Sequence, residues 1–122
     1  MSFQIQKELK GNYILYKILG ENSKPSFIEL ADEMYLDGLQ HNLSNFILDC
    51  ANVHGSLTIS ELFEVGNYFA NKLHEQKIAG INTPPEWRNN SFSENVVYNR
   101  GGHLEHFRLI EDAEQWFSRS DT

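Results

Sequence analysis

The stretch Phe46–Gly66, FILDCANVHGSLTISELFEVG, constrains this chain more than any other. Phe46 to Cys50 is a short apolar run bounded by polar residues, the pattern of a central strand covered on both faces. A small polar turn follows Asp49 and Cys50. Thr58-Ile59-Ser60-Glu61 then fits a capping box. The Thr58 hydroxyl can accept from the Glu61 backbone N–H, and the Glu61 carboxylate can reach back to the cap N–H. Leu62, Val65, Phe69 and Leu73 trace one apolar helix face to about Glu75. The stretch therefore reads as strand, turn and helix, with the turn presented at the strand's carboxyl end.

The rest of the chain repeats that logic. Phe3, Ile5 and Leu9 alternate with Gln4, Gln6 and Glu8, as in a half-buried strand. Lys10-Gly11-Asn12 makes a turn into the mostly apolar Tyr13–Leu19, so the two strands form an antiparallel hairpin. Pro25 or Ser26 opens an amphipathic helix to about His41, with Phe27, Ala31 and Leu39 on its apolar side. Lys77–Ile81 is another short strand. The prolines of Asn82–Asn90 exclude a helix interior and a central strand, so that segment is a loop. Ser91-Phe92-Ser93-Glu94 is a second capping box and opens a short helix to Tyr98. His103–Leu109 is the last strand, and Glu111 and Asp112 open a last helix carrying Ala113, Trp116 and Phe117.

The order is β-β-α-β-α-β-α-β-α over a single domain, residues 1–122. The expected class is α/β: a single mixed, mostly parallel sheet of about five strands with about four helices, the crossovers being right-handed.

Charge narrows the partners. The net charge of -7 disfavours nucleic acid and anionic membrane surfaces, because neutralising phosphates needs clustered Lys and Arg. No apolar run approaches the ~18 residues of a membrane span. The start, MSFQIQKEL, lacks the apolar region of a signal peptide. The single Cys50 has no internal disulfide partner and reads as a buried free thiol. Together these lead to a cytoplasmic protein as the expectation. His103 and His106 stand three apart on a strand and so face opposite sides, which disfavours a shared metal. No metal or cofactor is expected.

Several residues are candidates for function. Asp49, at a strand end, has a carboxylate suited to holding a turn or to chemistry. Asp49, His54 and Ser56 are the residue types of a nucleophilic triad, but no G-x-S-x-G elbow surrounds the serine, and a base two residues from its nucleophile gives poor geometry. Trp87 and Arg88, in the loop at Pro84, suit a surface anchor for a partner or ligand. With parallel strands, the turn at His54–Thr58, this loop and the Leu109–Asp112 junction share the carboxyl edge, where open α/β sheets bind ligands. A second reading is a small-molecule or lipid carrier, with a pocket lined by Phe63, Phe69, Trp87 and Phe92.

The element order and the segment ILDCANVHGSLTISEL resemble the STAS domain of anti-sigma-factor antagonists and sulfate-transporter tails. The tail FRLIEDAEQWF is similar to the last strand and helix of small stand-alone bacterial STAS-like proteins. In that family a strand ending in Leu-Asp runs into a turn and a helix whose start carries a phosphorylatable serine within Asp-Ser-Ser/Thr-Gly. Leu48-Asp49 matches the strand end and Asn52-Val53 the following turn. The four motif positions here hold Leu57, Thr58, Ile59 and Ser60, so the acidic and glycine positions are replaced. The resemblance implies a non-enzymatic regulatory domain acting through protein binding, with an edge built from Asn52–Ser60. It implies Thr58 as the phosphosite candidate, with Ser60 the nearest alternative. The expected partner is a regulatory protein, such as a kinase or anti-sigma factor. A homodimer is a further expectation.

Overall fold

The computed structural model describes residues 3–83 and 103–119. Strand β1 (Gln4–Lys10) runs antiparallel to β2 (Tyr13–Glu21). Gly11 sits between them at φ 64°, a left-handed conformation that costs glycine nothing, and so the reversal falls where the sequence places it. Helix α1 (Lys24–His41) starts slightly earlier than expected. Ser23 is the cap, its hydroxyl accepting from the Ser26 N–H at 3.2 Å, and Pro25 fills the first turn, where its missing N–H is not needed. Strand β3 (Asn45–His54), helix α2 (Ile59–Lys72), strand β4 (Lys77–Ile81), strand β5 (His103–Phe107) and helix α3 (Ile110–Ser118) follow.

The five strands form one sheet in the order β1-β2-β3-β4-β5. Strands β2, β3, β4 and β5 pair in parallel, and only β1 is antiparallel, at one edge. The mixed, mostly parallel α/β sheet is the expected one. Three helices accompany it among the described residues. The expected helix at Ser91–Tyr98 lies outside those residues, as does the Pro84–Asn90 part of the loop.

Alternation along the strands fills two cores. Ile14, Tyr16, Ile18, Phe46, Leu48 and Ile78 point to one face and pack with Phe27, Leu30, Met34, Phe69 and Leu73 of the α1 and α2 layer. Tyr13, Leu15, Ile47, Ala79 and Ile81 point to the other and pack with Ala113, Trp116 and Phe117 of α3. Each large apolar side chain so buried contributes about 1.5–3 kcal/mol of transfer free energy. Polar ties fix the helices in place. The Tyr68 hydroxyl on α2 donates to Asp32 on α1 at 2.5 Å, and Lys24 of α1 pairs with Glu64 of α2. The buried Tyr16 phenol donates to Asp37 at 2.6 Å, and Lys7 closes on that carboxylate at 3.1 Å. Burial, with Asp37 beside it, pushes the Tyr16 phenol far above its usual pKa.

One element departs from expectation. The apolar run predicted a strand ending at Cys50 and a turn containing Asn52 and His54, but β3 continues to His54. Strand β2 also runs on, so Asn52, Val53 and His54 find partners in Leu19, Gly20 and Glu21. Lys17 pairs with Asp49 and Leu19 with Asn52, so Cys50 and Ala51 together stand against Ile18. This is a β-bulge, and it shifts the alternation by one residue. Cys50 and Val53 both pack on the α1 and α2 side, while Asn52 and His54 are exposed. Polar residues that read as a turn are the outward positions of a strand. The turn itself is shorter, Gly55 to Leu57.

Candidate functional site

The parallel strands bring the carboxyl ends of β3, β4 and β5 to one edge of the sheet. The candidate residues described there fall into three groups.

The first group is the start of α2. Thr58 is its N-cap, in extended backbone. Its hydroxyl oxygen accepts from the Glu61 N–H at 3.1 Å, and the Glu61 carboxylate accepts from the Thr58 N–H at 2.9 Å. Both halves of the capping box are formed, and two of the orphan donors of the helix start are satisfied. Thr58, Ile59 and Ser60 are all exposed, and Ile59 is 67% exposed. Ile59 is an exposed apolar residue that sequence reasoning did not single out. Its signal was available, since it directly follows a cap and so precedes the helix's buried face.

The second group is the turn. Gly55 takes φ 85°, and Asn22 clamps it from the end of β2. The Asn22 N–H donates to the His54 carbonyl at 2.7 Å and its side-chain amide to the Gly55 carbonyl at 3.4 Å. Asn22 is only 6% exposed, so this tie is internal, and the His54 and Ser56 side chains stay outside it, exposed. Sequence reasoning passed over Asn22, because an asparagine in a polar loop looks solvated until non-local pairing buries it.

The third group centres on Asp49. Its Oδ1 accepts from the Ala51 N–H at 3.1 Å, across the bulge, and from the Asn82 side-chain amide at 2.9 Å. Asn82 follows β4 at φ 55°, a region asparagine tolerates better than most residues. One carboxylate oxygen thus holds the bulge in β3 and the exit of β4. Asp49 and Asn52 also line a shallow depression of about 350 Å³ over the open sheet face, with Gln4, Gln6, Lys17 and Leu19. Lys17, the register partner of Asp49, leans to Glu8 at 3.7 Å.

Asp49, His54 and Ser56 do not meet as a triad. Among the described residues no hydrogen bond joins them, and Asp49 is engaged by Ala51 and Asn82. Trp87 and Arg88 lie outside the described residues. His103 and His106 stand on opposite faces of β5, as their spacing predicts, and among the described residues no group of three or more His, Cys, Asp or Glu could hold a metal ion. Cys50 is a buried free thiol whose pKa is pushed up to about 12, first by burial and then by the Asp49 charge. Of the pocket lining expected for an apolar ligand, Phe69 faces a cavity of about 50 Å³, Phe63 is exposed on α2, and Phe92 lies outside the described residues. No helix among the described residues is long and apolar enough to cross a membrane.

No protein-family model and no curated protein sequence matches the chain. Solved structures do. The anti-sigma factor antagonist SpoIIAA in its unphosphorylated form superposes with a TM-score of 0.56 at 12% identity, over 97% of this chain and 100% of that one. An anti-sigma factor antagonist from Mycobacterium paratuberculosis gives a TM-score of 0.59 at 15% identity, over 94% of this chain and 93% of the other. The fold is STAS-like. An uncharacterised protein with a SpoIIAA-like fold from Shewanella loihica, at 16% identity, gives a TM-score of 0.54 over 94% of this chain and 93% of its own. At such identities the likeness is one of architecture. Leu57 to Ser60 straddle the cap of α2.

Proposed function

We propose that this chain is a non-enzymatic, STAS-like regulatory domain that works by binding a partner protein at the carboxyl edge of its parallel strands. The observation that carries the reading is the start of α2. It presents Thr58, Ile59 and Ser60 to solvent from a helix end held by a complete capping box. A rigid backbone with an exposed apolar residue and two exposed hydroxyls is a low-entropy contact surface. The shared architecture with anti-sigma factor antagonists favours a regulatory protein as the partner, a kinase or an anti-sigma factor among the classes.

Thr58 is the candidate phosphosite and Ser60 the alternative. A phosphoryl group on Thr58 would meet the positive end of the α2 dipole, which favours it. Its charge would also repel the Glu61 carboxylate, which accepts from the Thr58 N–H beside it. Modification would therefore loosen the capping box while adding charge, and a partner reading the α2 start would sense both. Asp49 and Asn52 belong to this reading as the flank of the edge, with His54 and Ser56 as its exposed turn. Trp87 and Arg88 belong to this reading by their place in the sequence after β4.

A small-molecule carrier remains the second reading, on the cavity beside Phe69. Ligand pockets commonly span about 300–1,000 Å³, so a lipid would need far more room than this cavity has. The test combines intact mass with pull-down on wild type and Thr58→Ala from the native host. An added ~80 Da, the mass of one phosphoryl group, in wild type alone, with a partner that distinguishes the two forms, supports the switch. Capture of the same partner by both forms and by Ile59→Asp would overturn the docking edge.

A further inference from the structure

We propose that two copies of this chain pair antiparallel through the free edge of β1, centred on Lys7, to form one continuous sheet. β1 ends the strand order, and among the described residues it pairs only with β2. The outer side of such a strand is a row of backbone donors and acceptors on which another strand can add.

The hairpin fixes which groups face outward. Gly11 and Asn12 make a two-residue turn, so the flanking Lys10 and Tyr13 form a hydrogen-bonded pair. Bonding to β2 then alternates along the strand. Gln4, Gln6 and Glu8 also turn their backbone groups to β2, and Ile5, Lys7 and Leu9 turn theirs to the free edge. β1 keeps one register with β2 over its seven residues, with no proline and no bulge to block addition.

Register selects a second copy as the occupant. A dyad at Lys7 sets Ile5 against Leu9 of the other copy, and Leu9 against its Ile5. On the opposite face it sets Gln6 against Glu8, amide to carboxylate, and Gln4 against Lys10. Sliding by two residues either way puts Lys7 against Ile5 or against Leu9, a charge against an apolar side chain. Leu9 is 58% exposed in the single chain, and it lines a depression of about 320 Å³ with Lys7, Ile14, Asp37, Gln40 and His41. The incoming Ile5 has that space to enter.

Charge agrees with this choice. A chain of net charge -7 repels its own copies over most of its surface. At this edge Lys7, Lys10 and Lys17 are matched by Glu8, Glu33 and Asp37 in ion pairs, so the edge is neutral. A lysine commonly guards an exposed strand edge. Here Lys7 is drawn onto α1, 2.6 Å from Glu33 and 3.1 Å from Asp37, so the two Lys7 side chains at the dyad meet already compensated. The inference does not depend on the docking surface at the start of α2.

A seam of seven residues is small beside standard interfaces of about 1,200–2,000 Å², so the pair should separate on dilution. The test follows the full chain by sedimentation velocity over a dilution series, as wild type, Leu9→Pro and Leu9→Lys. Leu9→Pro removes an N–H that faces the edge and leaves the bonds to β2, whereas Leu9→Lys sets a charge against the facing Ile5. Wild type should dimerise with rising concentration, and both variants at least tenfold more weakly with unchanged circular dichroism. Register is read by oxidising a mixture of Ile5→Cys and a mass-tagged Leu9→Cys, whose Cα atoms would face each other at about 5.5 Å, within reach of a disulfide. The mixed disulfide should exceed either homodimer. Wild type that stays monomeric at every concentration overturns the proposal and leaves the edge to a strand of another protein. A dimer undiminished in Leu9→Lys overturns it whether or not Leu9→Pro folds, and so does cross-linking of either cysteine variant alone as readily as of the mixture.

Discussion

Replacing Asp49 by alanine should destabilise the fold by about 1–3 kcal/mol. One oxygen, Oδ1, accepts two hydrogen bonds, from the Ala51 N–H at 3.1 Å and the Asn82 amide at 2.9 Å. A hydrogen bond in a folded protein contributes about 0.5–1.5 kcal/mol net, and the exposed setting of both bonds keeps the estimate from exceeding that range. Unfolding entropy near 60 °C is about 2.1 cal/mol/K per residue, so for this chain 1 kcal/mol corresponds to roughly 4 °C in Tm. Asp49→Ala should therefore melt about 4–12 °C below wild type by differential scanning calorimetry. Asp49→Asn keeps a carbonyl oxygen in the same place and should lose no more than about a third of that. Asn82→Ala removes one of the two bonds, and in a double-mutant cycle with Asp49→Ala the pair should be non-additive by about 0.5–1.5 kcal/mol. Amide exchange at Ala51 should quicken in Asp49→Ala and stay slow in Asp49→Asn. If Asp49→Ala melts within 1 °C of wild type, or the cycle is additive, then the carboxylate does not hold the bulge and the β4 exit together, and its place at the edge is functional instead.

Three other outcomes follow from the same geometry. Thr58→Ala removes the acceptor half of the capping box and should cost about 0.5–2 kcal/mol in urea unfolding, whereas Thr58→Asp, itself a good cap, should stay near wild type. Gly80→Ala forces a Cβ to within 2.9 Å of Thr83 and 3.0 Å of His106, and overpacking of that kind should lower stability by about 1–3 kcal/mol, read as a Tm loss with the circular dichroism spectrum unchanged. Burial raises the Cys50 thiol from 9.0 to about 12, so the unfolded chain ionises first. Stability referable to this group is whole below pH 9 and falls as pH rises toward 12, and Cys50→Ala should flatten that part of the alkaline slope while leaving the phenol of Tyr13, also raised to about 12, to titrate above pH 10. Thiol-specific reagents at pH 8 should react with wild type only after unfolding.

Features written in neighbouring residues are legible in the sequence alone. The β1–β2 turn lies at Gly11, and Thr58 and Glu61 bond as their spacing dictates, because both depend on backbone within a few residues. The parallel order follows from alternation of short apolar runs with helical patterns. Features set by distant pairing do not show in this way. Asn52 and His54 look like turn residues unless β2 is known to extend to Glu21 beside them. The burial of Asn22 and Thr83 rests on chain from other strands closing over them, and no local pattern records that. Asp49 is legible as a carboxylate fit to hold a turn, but its second partner, Asn82, is thirty-three residues away and is not.

The bulge at Cys50 and Ala51 makes chain length itself part of the hydrophobic code. On either side of it the strand keeps strict alternation, but the two halves are out of phase by one residue. Deleting Ala51 would bring them into phase and leave Val53 inward and Asn52 and His54 outward, whereas deleting Leu48 would use up the bulge and turn Asp49 inward and Cys50 out. The same deletion in the Asn42–Ser44 connection would shorten a link and leave every face where it is. A one-residue deletion library across β3 would thus tolerate loss in that connector and at the bulge and reject it at Leu48, a distinction no substitution reveals.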